Sequence, residues 1–205
     1  NAGFLTALYV PLVPLLGWML LRTPAHWSVW PTSIGCLAGT WLLSGAQGFE
    51  PVVGDLWVMA SSIFWALHVI FVGRIAERLH APFLIASGQF LVCGVISLLW
   101  ALLSESITLS GVVQAALPIA YAGLVSVGIG YTTQVVAQRY AQPADAAIIL
   151  SAETVFAALF GFLLMGDRLN ANGIAGCVLI LVCIVAVQIA PLAAAGRQAL
   201  ARRAQ

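Results

Sequence analysis

Charge is what this sequence has least of. It contains no lysine, and its charged residues make up 7% of the 205 positions. A water-soluble domain carries roughly 25% charged residues, because they cover its surface. With 62% hydrophobic residues, this chain lacks the polar groups for such a surface, which predicts an integral membrane protein. The net charge of +1 excludes the basic face that nucleic-acid binding requires.

Several chemical signatures are also missing. No phosphate-binding loop or HExxH motif is present, so ATP-driven pumping and zinc proteolysis have no support. No basic segment precedes an apolar stretch and a cleavage site, as a signal peptide requires. Because Asn1 adjoins a hydrophobic run, we interpret the chain as a fragment without its N-terminal helices. Four cysteines without metal-ligand spacing favour packing roles, and we predict no metal and no cofactor: Cys36, Cys93, Cys177 and Cys183.

Long apolar runs fill most of the chain. A spanning helix needs about 20 predominantly apolar residues. Continuous runs of this length favour an all-α membrane protein over a barrel, whose segments alternate over about ten residues. Seven segments qualify as spans: 3–21, 29–47, 55–74, 82–103, 112–136, 143–165 and 172–191.

The arginines predict the orientation, since cytoplasmic loops carry an excess of basic residues. Seven spans with a cytoplasmic C terminus place every arginine except Arg168 on the cytoplasmic side. We therefore predict a multi-pass protein with a cytoplasmic C terminus.

A faint internal repeat is visible. Residues 3–17 align without gaps on 147–161, and each stretch precedes an arginine-bearing loop and a helix containing Gly-Cys. The three spans between the copies predict an equal number missing before Asn1, giving two five-helix halves. An odd offset between halves inverts their topology, as in many secondary transporters.

Glu153 is the strongest candidate among the polar groups within the spans. It lies about 15 Å into its segment at 1.5 Å per residue, and intramembrane ionisable groups are rare and usually functional. It could bind a substrate cation or carry a coupled proton, or it could be a structural acid that joins two helices. These alternatives stay open.

Two helix faces add further candidates. Ser61, Trp65 and His68 share one face, which could line a cavity, although His68 could instead bond to a helix carbonyl. The second is a polar stripe, which either lines a pore or forms interhelical hydrogen bonds, since polar groups facing lipid cost several kcal/mol. Its members are Ser126, Gly130, Gln134 and Gln138.

A membrane-embedded enzyme is one alternative function. Ser126 lies between Gly123 and Gly128, a loose likeness to a glycine-flanked nucleophile for which His68 could be the base. Small residues at these positions are explained by helix packing, so we do not expect an enzyme. A structural membrane protein without transport activity is another alternative, and Glu153 argues against it.

Several motifs together resemble a known family. They are residues 4–17, Asp55-Leu56-Trp57 with Phe64-Trp65-Ala66, and the run 131–176, whose most characteristic parts are 131–134, 146–153 and 166–169. The chain resembles the EamA-type branch of the drug/metabolite transporter superfamily over nearly its whole length. One departure is Thr154, where the family often has proline after the intramembrane glutamate, so the local kink is open.

The resemblance implies the last seven helices of a ten-helix inverted-repeat bundle. The end of the first repeat would occupy residues 1–48, the second repeat 52–191 and a basic cytoplasmic tail 192–205. It implies a permease or exporter in the bacterial inner membrane, moving a small metabolite, amino-acid-like compound or drug by alternating access. Coupled protons and a homodimer are compatible with it. The implied substrate-binding residues are Glu153, Gln134, Tyr131, Trp65, Tyr9 and His68.

Overall fold

The computed structural model describes residues 5–22, 24–44 and 53–203, with side chains as far as Ala194. Within these residues the chain contains helices and no β-strand, which confirms the predicted all-α class. The longer described helices, numbered in chain order, are α1 Tyr9–Leu21, α2 Val29–Leu43, α3 Val53–Leu79, α4 Pro82–Ser104, α5 Leu109–Gln114, α6 Ala116–Gln138, α7 Pro143–Met165 and α8 Ala171–Arg203.

The helices reproduce the predicted spans. Helices α3, α4, α6, α7 and the Ala171–Ala194 part of α8 are long and apolar enough to cross a membrane, while α1 and α2 are shorter apolar helices. Helix α3 extends past the predicted end at residue 74, and α8 continues through Pro191 to Arg203. The predicted boundary between repeats, near residues 48–52, lies outside the described residues.

Local sequence explains where helices begin and end. Pro82 and Pro143 occupy the first turns of α4 and α7, where a missing N–H costs nothing because that group has no intrahelical partner. Helix α5 begins at a cap in which the Thr108 hydroxyl accepts the Gly111 N–H at 3.2 Å. Helix α7 ends at Gly166, whose φ of 74° is the left-handed conformation that glycine adopts readily.

The chain divides into two compact units. Unit 1 comprises the residues up to Ile70 and from Gln142 onward. In it, α2 packs along α8, and α1 packs against α2 and α7. A Cβ added to Gly39 of α2 would lie 2.9 Å from the Gly176 carbonyl oxygen of α8, so the two backbones are in close contact. Gly35 also contacts α8, and glycines at such positions let two helices approach closely in lipid.

Unit 2 comprises Phe71–Ala141. Helix α4 packs against the last turns of α6, around a small cluster of Val72, Ala76, Ala86 and Val135. The middle of α6, Tyr121–Tyr131, has π-helical hydrogen bonding. Such segments are rare and occur frequently at functional sites.

Candidate functional site

Three of the predicted site residues form an aromatic cluster in unit 1. The ring of Tyr9 in α1 meets the ring of Trp65 in α3 edge-on, with centroids 6.4 Å apart and planes at 83°. On α3, the Trp65 ring stacks on the imidazole of His68, with centroids 5.0 Å apart and planes at 20°. The buried Tyr9 hydroxyl donates to the Ala147 carbonyl of α7 at 3.5 Å. The cluster therefore joins α1, α3 and α7.

The predicted face of α3 explains part of this arrangement. Trp65 and His68 are three residues apart, a spacing that places side chains on one side of a helix, and the stacked rings confirm the shared face. The His68 imidazole therefore packs against the Trp65 ring. A hydrogen bond from His68 to a helix carbonyl was the alternative role considered from the sequence. Ser61 is exposed and donates to the Val58 carbonyl of its own helix at 2.7 Å.

Helix α7 is interrupted at Ser151. The α-helical segments Pro143–Leu150 and Ala152–Phe160 lie on either side of this residue. The Ser151 hydroxyl donates to the Ala147 carbonyl at 3.4 Å, and the Thr154 hydroxyl donates to the Ser151 carbonyl at 2.8 Å. Such back-bonding by Ser and Thr often bends helices. This chain has Thr154 where the family often has proline, and the hydrogen bonds of the Ser151 and Thr154 hydroxyls lie at this point of the helix.

Glu153 lies in the first turn after this interruption and is exposed on unit 1. Ser151 keeps right-handed helical torsion angles, with φ of −60° and ψ of −17°, so the two segments of α7 follow each other directly. Phe156 and Phe160, one and two turns further along, are also exposed. Glu153 thus belongs to an exposed face that combines one carboxyl group with aromatic rings.

The other two predicted site residues, Tyr131 and Gln134, belong to unit 2. Tyr131 is the last residue of the π-helical segment of α6, and Gln134 lies one turn later. The Gln134 Nε2 atom is buried and has no hydrogen-bond partner among the described residues. A buried amide without a partner carries a desolvation penalty of about 1–3 kcal/mol, so this donor is available to an added acceptor.

The polar stripe on α6 changes character along its length. Ser126 and Gly130 are exposed, Gln134 is half-buried, and Gln138 is buried at 3% exposure. The stripe therefore does not face one uniform environment. The more buried end carries the amide side chains of Gln134 and Gln138, and the exposed end carries Ser126 and Gly130.

Ser151 and Gln188 are polar groups on the spans that hydropathy alone did not single out. Ser151 interrupts α7 two residues before Glu153, and its position next to the candidate acid was the available signal. Gln188 is an exposed amide inside the span of α8, donating to the Ile184 carbonyl at 3.1 Å. It was overlooked because the apolar run around it dominates the hydropathy of the segment.

The structure thus brings Tyr9, Trp65 and His68 together and puts Glu153 on the exposed face of α7. The cluster provides ring surface and imidazole nitrogens, and Glu153 provides an acid. Their part in binding a substrate stays a prediction.

Comparison with known proteins bears on the fold and the family. Residues 52–188 match the sequence model of the EamA-like transporter family. An uncharacterized transporter from Archaeoglobus fulgidus is 26% identical over 190 residues, which are 92% of this chain and 60% of that protein. A protein of known crystal structure shares the fold with a TM-score of 0.78 at 22% identity, over 92% of this chain and 66% of that one. The chain therefore spans less than two thirds of the length of either relative.

Proposed function

Because this chain belongs to the EamA-like transporter family, we propose that it is part of a secondary transporter in the cytoplasmic membrane. The cargo would be a small metabolite, an amino-acid-like compound or a drug, moved by alternating access. We expect the protein to have no enzymatic activity.

The observation that supports this proposal best is the position of Glu153. An acid in the middle of a spanning segment avoids lipid, and such groups face a bundle interior or a water-filled cavity. The exposed surface of α7 around Glu153 is therefore a surface that we expect another part of the protein or water to cover. Secondary transporters commonly build midplane sites from discontinuous helices, and α7 is interrupted two residues before the acid.

We propose that Glu153 binds a cationic group of the substrate or carries a coupled proton. Either role requires a carboxyl group that a substrate or water can reach, and Glu153 is exposed on α7.

The aromatic cluster would bind the apolar part of the cargo. Trp65 and His68 present stacked rings, and Tyr9 packs against the edge of Trp65. In unit 2, Tyr131 and Gln134 remain proposed substrate contacts, and the buried Gln134 amide would donate to a carbonyl or carboxylate.

The arginine distribution supports a bacterial inner-membrane protein with a cytoplasmic C terminus. Arg22 and Arg139 follow α1 and α6, on the side proposed to face the cytoplasm, and Arg168 follows α7 on the other side. A homodimer is compatible with this topology and would be detected by crosslinking in membranes.

Transport in cells that express the full-length gene tests the proposal. Uptake and efflux across a metabolite panel are compared for the wild type, Glu153→Gln and the control Glu77→Gln, at matched membrane expression. Glu77 is exposed near the end of α3, so the same carboxyl-to-amide change is made on a different helix. Loss of a charge-assisted hydrogen bond worth about 1.5–3 kcal/mol predicts a roughly tenfold or greater loss of flux for Glu153→Gln.

The outcomes separate the parts of the proposal. Loss of flux, or of its pH dependence, in Glu153→Gln with normal flux in Glu77→Gln would support both the transport function and the role of Glu153. Equal flux in all three proteins would make Glu153 a structural residue. Absence of wild-type flux for every compound would argue against the proposed substrate classes.

A further inference from the structure

Two cysteines that are far apart in the sequence meet in the core of unit 1. Cys36 of α2 is 1% exposed and Cys183 of α8 is 7% exposed, and both belong to the same buried cluster. Both thiols are free. Of the other cysteines, Cys93 is exposed on α4 and Cys177 is half-buried on α8.

The packing of α2 on α8 fixes the positions of these two sulfur atoms. The Cys183 Sγ lies against the Cα of Gly35, the residue before Cys36, so closely that a Cβ at Gly35 would collide with it. The Cys36 and Cys183 thiols are neighbours in the same buried cluster, next to Ser151 of α7. The close contact of Gly39 with Gly176, one turn away, keeps the two helices in this register.

We propose that Cys36 and Cys183 form a binding site for a soft metal cation that accepts two sulfur ligands, with Hg²⁺ as the defining example. Thiolates select soft cations. Zinc in a structural site takes four ligands, and within the described residues no group of three or more His, Cys, Asp or Glu side chains could hold a metal ion. The thiol pair therefore suits an ion that two ligands satisfy.

Charge favours a divalent ion at this position. Each thiol loses one proton as its sulfur bonds to the metal, so two protons leave per Hg²⁺ and no electron is transferred. The product carries no net charge, whereas an uncompensated ion in an apolar core is strongly disfavoured. Cys183, the more exposed thiol, would meet an entering ion first.

The complex would link α2 to α8 through two metal–sulfur bonds. An ion that binds the folded chain, with its two thiols already together, more tightly than the unfolded one raises the stability by mass action. We therefore expect Hg²⁺ to raise the thermal unfolding temperature of the purified chain.

Native mass spectrometry of the whole chain in detergent tests the site. The starting protein carries Cys93→Ser and Cys177→Ser, so that only the pair remains. One equivalent of Hg²⁺ should give a mass with one mercury added and two protons lost, together with a higher unfolding temperature. Substituting a residue that only hydrogen-bonds to a metal ligand lowers metal affinity by about 10–100-fold. Removing a ligand itself, Cys36 or Cys183, should therefore lower Hg²⁺ affinity by at least about 100-fold.

Two outcomes would overturn the proposal. One is loss of a single proton per bound mercury in the protein that keeps the pair. The other is equal Hg²⁺ affinity in the pair protein and in its Cys36→Ser or Cys183→Ser derivatives. Cys36→Ala and Cys183→Ala serve as second variants, and an unchanged far-UV circular dichroism spectrum shows that each protein is folded.

Discussion

The contact between α2 and α8 makes a quantitative prediction for Gly39→Ala. The added Cβ would lie 2.7 Å from the Ile180 Cγ1 and 2.9 Å from the Gly176 carbonyl oxygen. Ile180 could adjust its rotamer, but the carbonyl belongs to the backbone of α8 and can move only with the helix. Overpacking of this kind costs about 1–3 kcal/mol, and in lipid no hydrophobic drive between helices compensates for lost contact.

Gly94→Ala in α4 is the matched control. A Cβ at Gly94 meets nothing within 4 Å among the described residues. Both substitutions gain the same intrinsic helix preference of about 0.5–1 kcal/mol for alanine over glycine. The difference between the two variants therefore isolates packing, and we expect Gly39→Ala to be the less stable by about 1–3 kcal/mol.

Equilibrium unfolding in mixed micelles with increasing SDS, followed by circular dichroism, measures this difference. The expected result is an earlier midpoint for Gly39→Ala and an unchanged or later midpoint for Gly94→Ala. If the two midpoints move together, the close approach of α2 to α8 does not contribute to stability, and the reasoning fails.

Three further substitutions test the proposed site. Trp65→Ala removes two ring contacts worth about 0.5–1.5 kcal/mol each. Its unfolding midpoint should therefore fall by more than that of Trp65→Phe, which keeps a ring. Equal midpoints for the two variants would contradict this. Tyr9→Phe keeps the ring and loses the hydroxyl that donates to Ala147 at 3.5 Å. We expect it to cost about 1 kcal/mol, against about 3 kcal/mol or more for Tyr9→Ala, by the same titration. Gln134→Leu removes the buried Nε2 group that has no partner among the described residues. The free energy of unfolding should stay the same or rise, while flux in the transport assay should fall. A large loss of stability would mean that Gln134 has a structural partner.

The sequence was sufficient to predict the helices but not all of their internal structure. Because charges are rare and lie mostly between the apolar runs, hydropathy located every described span. Hydropathy does not report hydrogen-bond pattern, so the π-helical segment Tyr121–Tyr131 could not be anticipated. The continuation of α8 past Pro191 was missed for a related reason, since proline is usually taken as the end of a helix.

The candidate site was predictable only where its residues share a helix. The spacing of Trp65 and His68 predicts their common face, because helix geometry fixes it. The contacts of Tyr9 with Trp65, and of Cys36 with Cys183, join helices that are distant in the chain. Periodicity shows which face of a helix is special but not which helix it meets, so these pairs required the structure.

Thr154 shows how a departure from the family's pattern becomes testable. Proline inside a helix removes a hydrogen bond and clashes with the carbonyl four residues earlier, at a cost of about 3 kcal/mol. Thr154 is the third residue of the segment Ala152–Phe160, and its N–H donates to the Ser151 carbonyl at 3.2 Å. Thr154→Pro should therefore lose this turn hydrogen bond and the bond from the Thr154 hydroxyl to the same carbonyl at 2.8 Å.

Ser97→Pro in the uninterrupted helix α4 provides the comparison. There the proline removes an interior hydrogen bond, so we expect a loss of about 3 kcal/mol in the same micelle titration. Thr154→Pro should cost less, about 2 kcal/mol for two hydrogen bonds. Equal losses in the two variants would mean that α7 behaves as a continuous helix through Ser151, and the reasoning would fail.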